Sequence, residues 1–250
     1  MALHDADAAA RFPGPDSYQV LGWIHEALKP ETYLEVGVLG GCSLRLAQPP
    51  TVALGIDPAP LDDGPWSTDT QLFRLTSTEF FTQHDPRRLL GGKPVAFAFI
   101  DGRHLFDQVI EDLFHLERHM APHGIVALHD TIPLDRETSA RRRTTEFYTG
   151  DVWKTLPFLR QERPDLEFVT VETAPTGLTL IRGWDPNRSV APPSDRVAEF
   201  AALDFDYFER HSPEFLEPVP NDRAAVEAFC QNTPVQSIRS SGSVIFSRSR

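Results

Sequence analysis

Two stretches of the chain combine residue types that do chemistry. The first is Glu35-Val36-Gly37-Val38-Leu39-Gly40-Gly41-Cys42-Ser43. It reads as a strand running into a glycine turn. Glycine lets a backbone come close to a ligand and adopt positive φ, and a helix opening after the turn offers free N–H groups. The pattern is not G-x-G-x-x-G, because Leu39 stands where the second glycine is needed. An acid two residues before Gly37 suits a cationic ligand better than a pyrophosphate. Asp57 follows twenty residues after Gly37, where a carboxylate can accept from ribose hydroxyls.

The second is Asp101-Gly102-Arg103-His104 together with His129-Asp130-Thr131. Asp101 and Asp130 each close an apolar run. If those runs are adjacent strands, two carboxylates share one edge and repel unless a cation or proton lies between them. Oxygen ligands of this kind suit Mg²⁺, which takes one or two protein carboxylates and leaves room for substrate oxygens. His104 is then a candidate general base. Other features read as structural. His115, His119 and His123 repeat every four residues, a spacing that can bind metal, but they flank a helical stripe, with His123 past the break at Pro122, and read as a solvated face. Arg141, Arg142 and Arg143 read as a solvated loop, with an anion clamp as the functional alternative. Cys42 has no nucleophile elbow around it, and Trp153 and Phe158 read as packing.

The elements that must position these residues alternate. Residues 16–28 have apolar spacing of a helix. Thr32 to Val36, Thr51 to Asp57 and Gln71 to Leu75 read as strands, and Ser77 as the cap of a short helix. VAFAFID (95–101) and GIVALHD (124–130) are continuous apolar strands of a sheet covered on both faces. Leu105 to Met120 is the strongest helix, and Asp151 to Gln161 another. Leu166 to Val171 and Gly177 to Ile181 form a hairpin. The result is a doubly wound, mostly parallel α/β sheet with a late antiparallel hairpin, and Glu35, Asp57, Asp101 and Asp130 fall at the carboxyl ends where ligands bind. The expected organisation is a tail over 1–15, one domain over 16–184, and an extension over 185–250. The extension carries helices over Ser194 to Glu209 and Asp222 to Cys230, packed on the domain or on a second subunit, which leaves a homo-oligomer open.

Composition narrows the class. The 250 residues carry 24 Lys and Arg against 36 Asp and Glu, a formal charge of −12. Nucleic acids and anionic membranes would be repelled. Two cysteines allow no disulfide framework, and no apolar run approaches the roughly 20 residues of a membrane span. The start of the chain lacks a signal pattern, so a cytoplasmic location is expected.

Taken in order and spacing, E-x-G-x-x-x-G-x-S, Asp57, FIDGRHLFDQVIEDL and GIVALHD resemble class I S-adenosylmethionine-dependent methyltransferases. They resemble most the branch of metal-dependent sugar and natural-product O-methyltransferases with I-D-G-x-H and H-D motifs. The resemblance covers Tyr18 to Gly183. It implies a Rossmann-like sheet of seven strands whose last is antiparallel. It also implies that Glu35, Gly37, Gly41 and Ser43 hold the methionine part of S-adenosylmethionine and Asp57 the ribose. Ser77 and Thr78 would border the adenine, and Asp101 the cofactor as well. In such relatives an acid or amide flanks the second Asp. Here His129 precedes Asp130, which makes Asp101, Asp130 and His129 the implied metal set, with His104 and Asp101 catalytic. The expected activity is O-methylation of a small-molecule hydroxyl, assisted by Mg²⁺. A nicotinamide-dependent oxidoreductase and a non-catalytic cofactor-binding module are the alternatives.

Overall fold

The centre of the chain is one sheet. The computed structural model describes residues 2–188 and 191–241. Its strands are β1 (Thr32–Val36), β2 (Val52–Ile56), β3 (Asp69–Phe73), β4 (Val95–Ile100), β5 (Met120–His129), β6 (Glu167–Val171), β7 (Leu178–Arg182) and β8 (Pro218–Val219), in the spatial order β3-β2-β1-β4-β5-β7-β6-β8. β1 to β5 pair in parallel; β7 runs antiparallel to β5 and to β6. The strand order reverses between β1 and β4, which opens the crevice at their carboxyl ends.

The helices are α1 (Ala2–Arg11), α2 (Ser17–Leu28), α3 (Ser77–Gln83), α4 (Pro86–Leu89), α5 (Phe106–Glu117), α6 (Thr155–Glu162), α7 (Ser194–Ala201), α8 (Phe205–Phe215), α9 (Arg223–Cys230) and α10 (Val235–Ser241). Alternation along the strands divides the core between the two faces. Leu34, Val36, Ala98 and Ile100 pack with α5, α6 and the aromatic residues of α7 and α8. Tyr33, Phe97 and Phe99 pack with Val20, Leu21 and Ile24 of α2 and Val226 and Phe229 of α9. Both faces are covered, which is why β4 and the end of β5 read as unbroken apolar runs.

Local chemistry sets the ends of these elements. Asp16 and Gln19 form a capping box on α2, a reciprocal arrangement that satisfies two free N–H groups. Thr76, not Ser77, caps α3 and closes a capping box with Glu79, so Ser77 lies inside the first turn. α5 stops at Glu117 because Met120 already pairs with Val95. The helix expected over Ser194 to Glu209 is two helices. Residues 202–204 interrupt it, and Asp204 accepts from the Tyr207 N–H to start α8.

The sequence carries no signal for an eighth strand or for a helix within its first fifteen residues, whereas the helix expected over Asp222 to Cys230 is present as α9. β8 adds to β6 in parallel, so the sheet has eight strands rather than seven. The first residues form α1, with Ala8 and Phe12 buried and Arg11 donating to the carbonyls of Pro133 and Leu134 at 3.1 Å each. Arg182 of β7 donates to the carbonyls of Phe229 and Thr233 at 2.7 and 2.8 Å, and its guanidinium lies 4.4 Å from the Phe229 ring centroid. The Phe229 ring is fully buried. Phe229→Ala should therefore lower the unfolding free energy by about 3–5 kcal/mol in urea titrations. An unchanged midpoint would mean that α9 is only loosely attached.

Candidate active site

The glycine turn after β1 is fixed from two sides. Gly37 has φ of 89°, and a Cβ there would lie 2.0 Å from the Asp101 carbonyl oxygen, so the turn crosses directly over the end of β4. Asp57, at the end of β2, holds the turn from the other side. Its Oδ2 accepts from the N–H groups of Val38 at 3.0 Å and Leu39 at 2.8 Å, and its Oδ1 from Ala59 at 2.7 Å. The segment 58–68 folds back over the turn. Trp66 meets the position a Cβ of Gly41 would take at 2.7 Å. The Arg45 guanidinium lies 4.8 Å from the Trp66 ring centroid, and Arg45 pairs with Asp62. Around Gly40 a Cβ would meet nothing within 4 Å, so the turn opens there.

Glu35 and Ser43 lie beneath this turn. Glu35 is fully buried and accepts from Tyr33 O–H and Ser43 O–H at 2.6 Å each. Burial pushes its carboxyl up to about 8. The two residues named as cofactor contacts thus tie the strand to the helical turn Leu44–Leu46. Ser77 and Thr78 face α5. Gln108 Nε2 donates to Ser77 Oγ at 3.3 Å, Thr78 Oγ1 at 3.2 Å and the buried Asp112 at 3.0 Å.

The ends of β4 and β5 bring four side chains together. Asp101 Oδ1 lies 3.2 Å from His104 Nε2 and 3.2 Å from His129 Nδ1. Asp130 Oδ2 lies 2.9 Å from His104 Nδ1, and its Oδ1 is 3.5 Å from His129 Nδ1. Asp130 Oδ1 also accepts from Thr176 O–H at 2.6 Å. His104 and Asp130 have φ of 58° and 61°, left-handed values that non-glycine residues keep only when their surroundings hold them. His104 Nδ1 donates to the Tyr148 carbonyl at 2.9 Å. Asp130 Oδ2 is left buried without a hydrogen bond, as is His129 Nε2.

Charge in this cluster is shared. Burial lowers the pKa of both imidazoles, but the carboxylates outweigh it. Asp130 and Asp101 hold His104 well above its ordinary value, and Asp101 with Asp130 holds His129 at about 9. Burial raises Asp101, yet His129 and His104 bring it well below the usual carboxylate range. The compensating charge expected between the two acids is thus supplied by the histidines. Asp101, His104 and Asp130 offer three donor atoms within 4.8 Å of one another, a metal-sized group among the described residues. His129, named as the third ligand, is outside that group, whose third member is His104.

The remaining candidates fall elsewhere. His115 and His119 stack on Phe81, and His123 is exposed. Cys42 is exposed; Trp153 and Phe158 are buried. Arg141 pairs with Asp107 and Asp151. A hollow between α5, α6 and residues 191–193 is lined by Leu113, Phe114, Phe158 and Trp184, and no member of the cluster lines it. Tyr148, Thr176 and Trp66 went unread in the sequence. The sequence signals near them were Gly150, Gly177 and Gly64, each with positive φ beside one of the three.

Residues 34–131 match the family model described as a methyltransferase domain. That stretch runs from β1 through the cluster to Thr131 and is a methyltransferase domain, as the motifs implied. No curated protein matches the chain at a significant level. Among solved structures, the O-methyltransferase from Bacillus cereus in complex with SAH is 12% identical, with 70% of this chain and 86% of that chain covered and a TM-score of 0.48. The O-methyltransferase TomG from Streptomyces achromogenes, in complex with SAM, is 15% identical, with 73% and 89% covered and a TM-score of 0.48.

The buried Glu35 makes stability pH-dependent. Unfolded, a Glu loses its proton near 4.3, whereas folded Glu35 keeps it to about 8. Between these values the folded state binds more protons than the unfolded one, so Glu35 contributes a loss of stability that grows as pH rises and levels off above 8. Each unit of that shift is worth about 1.4 kcal/mol. Glu35→Gln should flatten the fall of Tm between pH 5 and 8 and raise Tm at pH 8 relative to the parent. Parallel Tm profiles for the two proteins would contradict a protonated Glu35.

Proposed function

We propose that the chain transfers the methyl group of S-adenosylmethionine to an oxygen of a small molecule at the edge where β1, β4 and β5 end. The observation that carries this is the carboxylate–histidine cluster beside a glycine turn, inside a segment that matches a methyltransferase domain. The cofactor supplies a methyl group on a sulfonium, ready for in-line displacement. The turn fits it at the open side around Gly40. Asp57 uses three of its roughly four acceptor positions on Val38, Leu39 and Ala59, which leaves one for a ribose hydroxyl.

The chain's own part is positioning and proton transfer. The Tyr148 carbonyl and Asp130 Oδ2, each 2.9 Å away, keep a proton on His104 Nδ1, so Nε2 is the atom that takes the proton from the substrate hydroxyl. With both carboxylates facing it, the ring already holds that proton. It becomes a base only when the charge of Asp101 and Asp130 is met from elsewhere. Mg²⁺ fits this requirement, because Asp101 and Asp130 each bring a carboxylate oxygen into a group of donors within 4.8 Å of one another. Asp101 and Asp130 would hold the ion, which supplies positive charge that favours an ionised hydroxyl. The acceptor is a hydroxyl of the sugar or natural-product kind.

Calorimetry should show S-adenosylmethionine and its demethylated product binding, with Asp57→Ala weaker by about 1.5–3 kcal/mol. Stabilisation by NADH and not by S-adenosylmethionine would favour the oxidoreductase reading. Turnover should vanish in EDTA and return with Mg²⁺. His104→Ala should keep cofactor affinity and lose about 10²–10⁴-fold in kcat. Full turnover in EDTA would remove the metal, and a fully active His104→Ala would remove the base.

A further inference from the structure

The segment 141–151 is connected to the cluster more closely than a solvated loop would be. Tyr148 gives its carbonyl to His104 Nδ1 at 2.9 Å, and its ring lies parallel to the imidazole, with centroids 5.9 Å apart and planes 3° apart. Gly150 has φ of 57°, and a Cβ there would stand 1.8 Å from the His104 carbonyl oxygen. The backbone of the segment therefore lies directly against the left-handed residue it touches.

The segment is itself anchored. Asp151 is buried, and its Oδ1 accepts from the Phe106 N–H at 2.8 Å, the first turn of α5, where Leu105 supplies no cap. Asp151 Oδ2 is 3.2 Å from Lys154 Nζ and 3.3 Å from Arg141 Nη1. Arg141 continues to Asp107 at 2.8 Å, and Tyr148 O–H donates to the Arg141 carbonyl at 2.8 Å. Two of these links, Asp151 to Phe106 and Arg141 to Asp107, join the segment to the start of α5, the element that follows His104.

We propose that Tyr148 is a positioning residue for His104: its carbonyl fixes the proton on Nδ1, its ring fixes the imidazole plane, and together they aim Nε2 at the Asp101 edge of the site. Gly150 and Asp151 hold Tyr148 in place. This rests on the reading of His104 as proton acceptor, while the geometry of the clamp does not.

Two readouts separate the clamp from that reading. In Tyr148→Ala the backbone carbonyl stays but the stacked ring is lost, so the imidazole plane is no longer held, and kcat should fall about 10- to 100-fold, the scale of a lost alignment, with KM for the acceptor and affinity for the demethylated cofactor unchanged. Tyr148→Phe keeps the ring as well and should retain the parent kcat. In proton NMR the His104 ring protons should lose the ring-current displacement of the stacked tyrosine in Tyr148→Ala and keep it in Tyr148→Phe. Unmoved ring protons and unchanged kcat in a folded Tyr148→Ala would overturn the proposal, and so would an equal loss of kcat in Tyr148→Phe. If the parent protein transfers no methyl group, the proposed function fails, and the ring-proton shifts alone decide the clamp.

Discussion

The contact of Asp101 and Asp130 with His104 and His129 is the interaction on which the rest of the molecule is arranged. A parallel sheet delivers the ends of β4 and β5 side by side, and with them two carboxylates. Left alone, those groups would repel across a few ångströms in a poorly solvated edge. The histidines turn that liability into a neutral cluster, at the price of backbone conformations that His104 and Asp130 do not favour. The surroundings hold those conformations. Gly150 lets the chain lie against His104, and Thr176, from the turn of the terminal hairpin, fastens Asp130. The antiparallel hairpin is therefore part of the site's frame as well as of the sheet.

The same constraint explains the turn after β1. It must pass over the Asp101 carbonyl, and only a residue without a Cβ can do so, because a Cβ there would stand 2.0 Å from that oxygen. Asp57 then pins the next two N–H groups, which sets the shape of the open side near Gly40. Glu35 supports the turn from below with two hydroxyl donors. These residues work through backbone placement, and their side chains are already engaged with the protein itself.

What the sequence disclosed followed from short-range rules. Continuous apolar runs predicted β4 and β5, the glycine and acid spacing located the turn, and acids at strand ends marked the crevice. What it hid depended on side-chain contacts that neither period nor spacing encodes. Nothing local to Glu35 says that Tyr33 and Ser43 occupy both of its oxygens. Tyr148 is 44 residues from the histidine it holds, and its loop reads as polar and featureless. That His104 rather than His129 completes the three-donor group among the described residues follows from where the loop after β4 places its ring, which no local pattern announces. β8 escaped because two residues carry no period, and its pairing with β6 is visible only once the tail is folded.

The central claim is that the edge formed by β1, β4 and β5 is the cofactor site. Titration of the isotope-labelled protein with S-adenosylhomocysteine, followed by backbone amide NMR, tests this directly. The account predicts saturable shifts at residues 37–41, 57–59 and 101–104. Shifts confined to the hollow around Phe114 and Trp184, or a spectrum that does not change at millimolar ligand, would contradict it.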